Sequence, residues 1–169
     1  LLIEILRSSG EKIRGIYERN DVKIRELEGM TENKGWFMPE TVEDKTTVTE
    51  ITENGIRYSV DVENGQKTGF FLDQKYNRQA VARIAKGKHV LDCFTHTGAF
   101  ALNAAAGGAA SVTAVDVSAE AVRMTGINAE KNGFKDVVKP LEANVFDLLT
   151  ELAEQKSHAY DFIILDPPA

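Results

Sequence analysis

Residues 89–106 read HVLDCFTHTGAFALNAAA, and this stretch decides the fold. A short apolar run, His89–Asp92, ends in an acid. A turn with one glycine, Gly98, then opens an alanine-rich segment, Ala99–Ala106, with the composition of a helix. The alternation of helix and strand continues outward in both directions. A helix over Gln74–Lys86 precedes it. Strand Ser111–Val117, helix Ala119–Asn132, strand Val137–Glu142, helix Val145–Gln155 and strand Tyr160–Asp166 follow. Strands and helices taking turns at this spacing predict an α/β fold with a parallel sheet covered by helices on both faces. The run Phe162-Ile163-Ile164-Leu165 is apolar at every position, the pattern of a buried central parallel strand.

The segment before this block has a different rhythm. Leu2–Tyr17 predicts one helix, interrupted in composition by Ser8-Ser9-Gly10. Alternating runs at Val22–Leu27, Thr47–Ile51 and Ile56–Val62 predict strands. Asn54-Gly55 and Asn64-Gly65 are tight-turn pairs, the second leading into Lys67–Leu72. The reading is an antiparallel β-meander, with Thr31–Asp44 as loop. The expected division is residues 1–72, a small α+β domain, and residues 73–169, the parallel-sheet domain. Leu1 in place of a start methionine, and an end at Ala169 directly after Asp166-Pro167-Pro168, predict a piece of a longer chain.

Composition narrows the function classes. The 169 residues are 43% hydrophobic and 27% charged, which is ordinary globular composition rather than disorder. No apolar run approaches the roughly 20 residues of a membrane span, and no secretory signal pattern opens the chain. A single cysteine, Cys93, excludes an intrachain disulfide. The default expectation is a cytoplasmic protein with no membrane partner. The formal charge of -6 runs against the basic footprint of most nucleic-acid binders, although a local basic patch is compatible with an acidic sum.

In an open α/β sheet the ligand sits at the carboxyl ends of the strands. Four successive strand ends here carry an acid or an amide: Asp92, Asp116, Asn144 and Asp166. Asp116, about 20 residues past the glycine turn, suits the two hydroxyls of a ribose. Asn144, with the backbone of Val145, can read an adenine edge or simply cap the helix that follows. Gly98 lets the chain pass close to a methionyl group, with helix N-terminal amides facing its carboxylate. Asp92 can face an α-amino group. Phe94, Thr97 and Val117 complete the candidate set. The turn lacks the G-x-G-x-x-G of dinucleotide sites and the chain lacks a P-loop, so a pyrophosphate ligand is disfavoured. S-adenosyl-L-methionine (AdoMet) is the expected cofactor. Asp166-Pro167-Pro168 ends its strand with two residues that cannot donate to a ladder, leaving carbonyls and a carboxylate to position a base. Cys93-x-x-His96 falls short of the four ligands of a zinc site, so no metal is expected.

Further residues carry a family resemblance. Tyr58–Val62 with Gly65–Gln74 and Asn77-Arg78 resembles the hairpin of bacterial 23S rRNA cytosine-C5 methyltransferases. Val90–Phe94 with Thr97–Phe100 resembles that family's first AdoMet motif. Val115-Asp116, Asn128-Ala129-x-x-Asn132-Gly133 and Asp166-Pro167-Pro168 agree in order and spacing. The resemblance implies a Rossmann-like class I methyltransferase domain, truncated here, behind a small central domain, with an RNA-binding PUA domain absent from this chain. It implies that Phe71, Gln74 and Arg78 flank the AdoMet pocket, with Lys67, Thr68 and Asp73 as secondary candidates. It implies large-subunit ribosomal RNA as partner and leaves the oligomeric state open. The family's nucleophilic cysteine would lie beyond Ala169, and Cys93 reads as a packing residue. This chain alone is therefore expected to be inactive. Methylation of a base amine, or a non-catalytic binding role, are the alternatives.

Overall fold

The computed structural model describes residues 2–10, 12–22, 24–66 and 68–167, without the side chains of Leu2, Ile3 and Arg7. Two compact units emerge. One comprises residues 1–49 and 60–70, and the other residues 50–59 and 71–169.

In the first unit, helix α1 (Leu2–Ser8) is shorter than the expected Leu2–Tyr17 helix. The hydroxyls of Ser8 and Ser9 donate back to the carbonyls of Ile5 and Leu6, and Gly10 adopts a left-handed φ of 84°. Side chains that compete for helix carbonyls, followed by a left-handed glycine, end a helix. The chain then forms strand β1 (Ile16–Arg19), which pairs antiparallel with β2 (Lys34–Phe37) and sets Tyr17 opposite Trp36. Strand β2 corrects the expected loop over Thr31–Asp44, and Pro39–Thr41 adds a 3₁₀ turn. The expected strand at Val22–Leu27 is instead a helical turn, α2 (Ile24–Leu27), closed by Gly29 at φ 69°. Six residues are too few for alternation to separate the two periods. No strand forms over residues 68–72, where the sequence led into Lys67–Leu72, and Lys67 lies outside the described residues. Asp61 explains the difference. Its carboxylate accepts the backbone N–H groups of Glu63 and Asn64, and its carbonyl accepts that of Gly65. The chain is wound into a turn rather than released into a ladder. The meander is therefore two separate two-stranded pairs.

The second pair is the hairpin of β3 (Val48–Glu53) and β4 (Ile56–Asp61). Asn54 and Gly55 both have positive φ, as a two-residue hairpin turn requires. Residues 50–59 of this hairpin belong to the second unit.

The second unit follows the expected order: α3 (Lys75–Ile84), β5 (His89–Cys93), α4 (Ala99–Ala106), β6 (Ser111–Asp116), α5 (Ala119–Lys131), β7 (Val138–Glu142), α6 (Val145–Glu154) and β8 (Phe162–Leu165). The sheet order is β7-β6-β5-β8, parallel throughout. Alternate residues serve opposite faces. Val90, Val112, Ala114 and Ile164 pack with alanines of α4, while Leu91, Cys93 and Val115 pack with Val145 and the leucines of α6. Of the run Phe162–Leu165, Ile164 is buried and Ile163 and Leu165 are exposed, and β5 is the one partner of β8 among the described residues. No helix among the described residues is long and apolar enough to cross a membrane.

The succession β5, β6, β7 runs outward on one side of β5, whereas β8 lies on its other side. The strand order reverses at the carboxyl end of β5, and a doubly wound sheet opens its ligand crevice at such a point.

Candidate cofactor site

Four of the sequence-selected residues meet at this edge because the parallel register aligns the strand ends. Cys93 pairs with Val115 and Leu165, and Asp116 pairs with Glu142. Asp92, Asp116, Asn144 and Asp166 thus lie at the same end of neighbouring strands.

Asp92 is 1% exposed. Its Oδ2 accepts the Thr95 hydroxyl (2.5 Å) and the Ala101 backbone N–H (3.0 Å), whereas Oδ1 is buried with no hydrogen-bond partner. An unsatisfied buried carboxylate oxygen is costly and calls for a donor from outside the chain. Burial pushes the Asp92 carboxyl up to about 7; the Asp166 and Asp116 carboxylates add to the rise, and the two hydrogen bonds oppose it. The folded chain therefore holds a proton that the unfolded chain has released between about pH 4 and pH 7. The stability due to this group is complete below about pH 4 and lost as pH rises through about 7. Asp92→Asn, which keeps an acceptor oxygen, is expected to flatten this dependence. Urea denaturation at pH 5 and pH 8 should show a wild type that weakens across the interval more than the variant. Parallel behaviour of the two proteins would contradict the assignment.

The turn after β5 is wound tightly. Phe94 and His96 have φ of 61° and 54°, a left-handed region costly for side chains of this size. Hydrogen bonds to neighbouring elements hold the turn. Thr95 N–H donates to the Val115 carbonyl (2.9 Å), and His96 N–H donates to Asp116 Oδ2 (2.9 Å). The His96 carbonyl accepts from Thr125, and the Thr97 carbonyl accepts from the Asn128 side chain. Gly98 is left-handed too. A Cβ there would come within 2.8 Å of both the Leu102 and Thr125 side chains, so packing alone demands glycine. Burial lowers the pKa of the His96 imidazole, favouring its neutral form. The Phe71 ring and this imidazole form a T-shaped pair with centroids 5.6 Å apart.

Asp116 Oδ1 accepts the Ser118 N–H (2.9 Å). Each of its oxygens is thus engaged once and keeps a lone pair for a ribose hydroxyl. Asn144 caps α6 by accepting the Phe146 N–H (2.9 Å) through Oδ1, which leaves its amide nitrogen available as a donor. Val145 is buried beneath it, whereas Val117 and Phe146 are 72% and 69% exposed. Phe94 meets Phe146 edge to face. Exposed apolar groups beside polar ones suit a heteroaromatic ring with polar edges.

The remaining candidates take different positions. The Arg78 guanidinium is buried, donating to Glu53 Oε1 and to the Phe71 carbonyl, each at 2.6 Å. Gln74 is half-buried and accepts from Asn77. Asp166 and Pro167 are exposed at the end of β8; Pro168 and Lys67 lie outside the described residues. Asp73 is exposed, and Thr68 belongs to the other unit. Cys93 is fully buried, and burial pushes its thiol up to about 11, as a packing residue requires. No metal-ligating cluster occurs among the described residues.

Sequence reasoning gave no site role to Thr95, Thr125, Asn128 or Phe146, although Asn128 and Asn132 belong to the motif that carries the family resemblance. Asn128 is fully buried; its amide donates to the Thr97 carbonyl and accepts from the Ser59 N–H. Below it, Asn132 accepts the Arg57 N–H and donates to the Arg57 carbonyl, as a neighbouring strand would. The spacing of four between Asn128 and Asn132, the C-cap of α5, turns both side chains to the same side.

Comparison with known proteins agrees with this geometry. A curated relative from Aeromonas salmonicida, "Ribosomal RNA large subunit methyltransferase I", is 46% identical over 155 residues, covering 90% of this chain and 38% of its own length. The chain thus spans well under half of such relatives. Among solved structures, a protein complexed with SAH is 32% identical with a TM-score of 0.70, covering 80% of this chain and 35% of that one. A Streptococcus mutans protein is 28% identical with a TM-score of 0.79, covering 99% of this chain and 42% of that one. The family model described as "S-adenosylmethionine-dependent methyltransferase" matches residues 31–169, taking in every strand end that forms the crevice. With sheet order, crevice and family model in agreement, this chain belongs to the S-adenosylmethionine-dependent methyltransferases.

Proposed function

We propose that this chain is the cofactor-binding part of an rRNA methyltransferase that modifies C5 of a cytosine in the large-subunit RNA. The observation that carries the reading is the unsatisfied Oδ1 of Asp92 at the sheet's reversal point, with Asp116 and Asn144 on the adjoining strand ends. AdoMet supplies an electrophilic methyl group on a sulfonium. Asp92 Oδ1 accepts from its α-ammonium group, and Asp116 accepts the ribose hydroxyls. The amide of Asn144 reads the adenine edge, with Val117 and Phe146 against the ring. Phe71 and His96 wall the methionyl end, and Arg78 acts on the site through its hold on the Phe71 carbonyl. Asp166 and the Pro167 carbonyl orient the target base.

C5 of cytosine becomes nucleophilic once a thiolate has added to C6. Cys93 does not serve: it is buried in the sheet with its thiol pushed up to about 11. The C5 reading therefore needs a cysteine beyond the 169 residues. Methylation of an exocyclic base amine needs none, and the exposed Asp166-Pro167 strand end suits it. Nucleoside analysis decides between them. Labelled AdoMet and large-subunit rRNA lacking the modification should yield 5-methylcytidine with the gene product at its full natural length. A labelled N-methyl base would overturn the C5 assignment, and no transfer together with no AdoMet binding would leave a non-catalytic scaffold.

A further inference from the structure

The first unit carries a groove of about 380 Å³ lined by two aromatic and two arginine side chains. Tyr17 and Trp36, opposed across β1 and β2, stand edge to face with centroids 5.2 Å apart. The Arg14 guanidinium lies 5.7 Å from the centre of the Trp36 ring. Arg19 closes the groove, with Val62 and the exposed Thr68.

These walls are held in place. Arg14 is paired with Asp44 (3.0 Å) and donates to the Thr46 carbonyl (2.7 Å). Arg19 is paired with Asp21 (3.0 Å) and donates to the carbonyls of Val62 (2.7 Å) and Gly65 (3.0 Å). Gly15 lies so close to the indole that a Cβ would come within 3.0 Å of Trp36 Cζ3 and 2.9 Å of Val42 Cγ2. A larger residue there would push the ring out of position.

The charge pattern says what the groove can take. Both guanidiniums already face carboxylates, so neither offers the uncompensated cation that a phosphate requires. Their planes, with an indole and a phenol, remain as stacking surface. Aromatic rings alternating with guanidinium planes are the chemistry that holds splayed, unpaired bases. The volume lies in the range of a small-ligand pocket. We propose that this groove binds an unpaired nucleobase of the RNA, mainly by stacking; the proposal rests on the reading of the protein as an RNA-modifying enzyme.

Trp36 is the single tryptophan of the chain, so its fluorescence reports on the groove directly. Titration of the 169-residue chain with a single-stranded octaribonucleotide is expected to quench it saturably. The same strand in a duplex, and inorganic polyphosphate of equal charge, should not. The affinity should fall only weakly with salt, since few phosphates are engaged. By anisotropy of a labelled strand, Trp36→Leu should weaken binding about five- to 150-fold, the range for loss of one base stack. Thr68→Phe, which fills the rim and leaves the indole packed, should weaken it comparably and covers misfolding of the first variant. Absence of quenching by the single strand, equal quenching by duplex or polyphosphate, or unchanged affinity in both variants would overturn the proposal. Calorimetry with AdoMet on the same samples separates the two readings. Cofactor binding without quenching removes the groove alone, whereas quenching without cofactor binding keeps the groove and removes the cofactor site.

Discussion

Asp116→Ala is expected to weaken AdoMet binding by about 100-fold or more. Charge-assisted bonds contribute about 1.5–3 kcal/mol each, and the substitution deletes the pair proposed for the ribose hydroxyls. It also deletes the acceptor that holds the His96 N–H, on a residue already at φ 54°. Without that anchor the turn relaxes toward an ordinary backbone conformation, and Asp92 and Phe71 lose their fixed relation to the ligand. Asp116→Asn keeps one acceptor oxygen but loses the charge, and should fall between the two, near tenfold. Calorimetry on the three proteins measures the series directly. Equal affinity in wild type and Asp116→Ala would remove Asp116 from the site.

The largest effect on stability is expected from Arg78→Ala. The Arg78 and Glu53 side chains are 3% and 6% exposed, with a 2.6 Å contact between them. Replacing such a pair by apolar groups is often nearly neutral, but removing one member strands the other charge, at a cost of about 3–5 kcal/mol. Arg78→Ala strands Glu53 and also releases the Phe71 carbonyl. Chemical denaturation should register a loss of this size. The double variant Glu53→Gln/Arg78→Met should recover most of it, because no buried charge remains. A single-variant loss below about 1 kcal/mol would mean that water reaches the pair.

The parallel-sheet unit was legible in the sequence because its elements are long and their periods distinct. Ala99–Ala106 was read to the residue, and the other helices of this unit to within two residues at either end. The residues at strand ends were legible for the same reason: once the sheet is parallel, Asp92, Asp116, Asn144 and Asp166 have to share an edge. The first unit resisted. Val22–Leu27 is too short to reveal its period, the Ser8-Ser9 back-bonding that ends α1 is a property of hydroxyl geometry, and the Asp61 turn depends on which backbone groups a carboxylate reaches. In the site, sequence favoured ligand-facing polar residues and gave no role to those that hold the turn. Thr125 and Asn128 sit inside an amphipathic helix, where a buried amide looks like any other small polar residue. The exposure of Phe146 is likewise a fact of packing that composition does not record.

The double duty of Asn128 narrows what evolution can place there. Its oxygen serves Ser59 and its nitrogen serves Thr97, so aspartate would keep the first task and fail the second, and leucine would keep the shape and fail both. Glutamine has both atoms, but one carbon too far out for a fully enclosed position. None of these three replacements takes over both tasks at position 128, although its side chain is fully enclosed and lies away from the strand-end carboxylates.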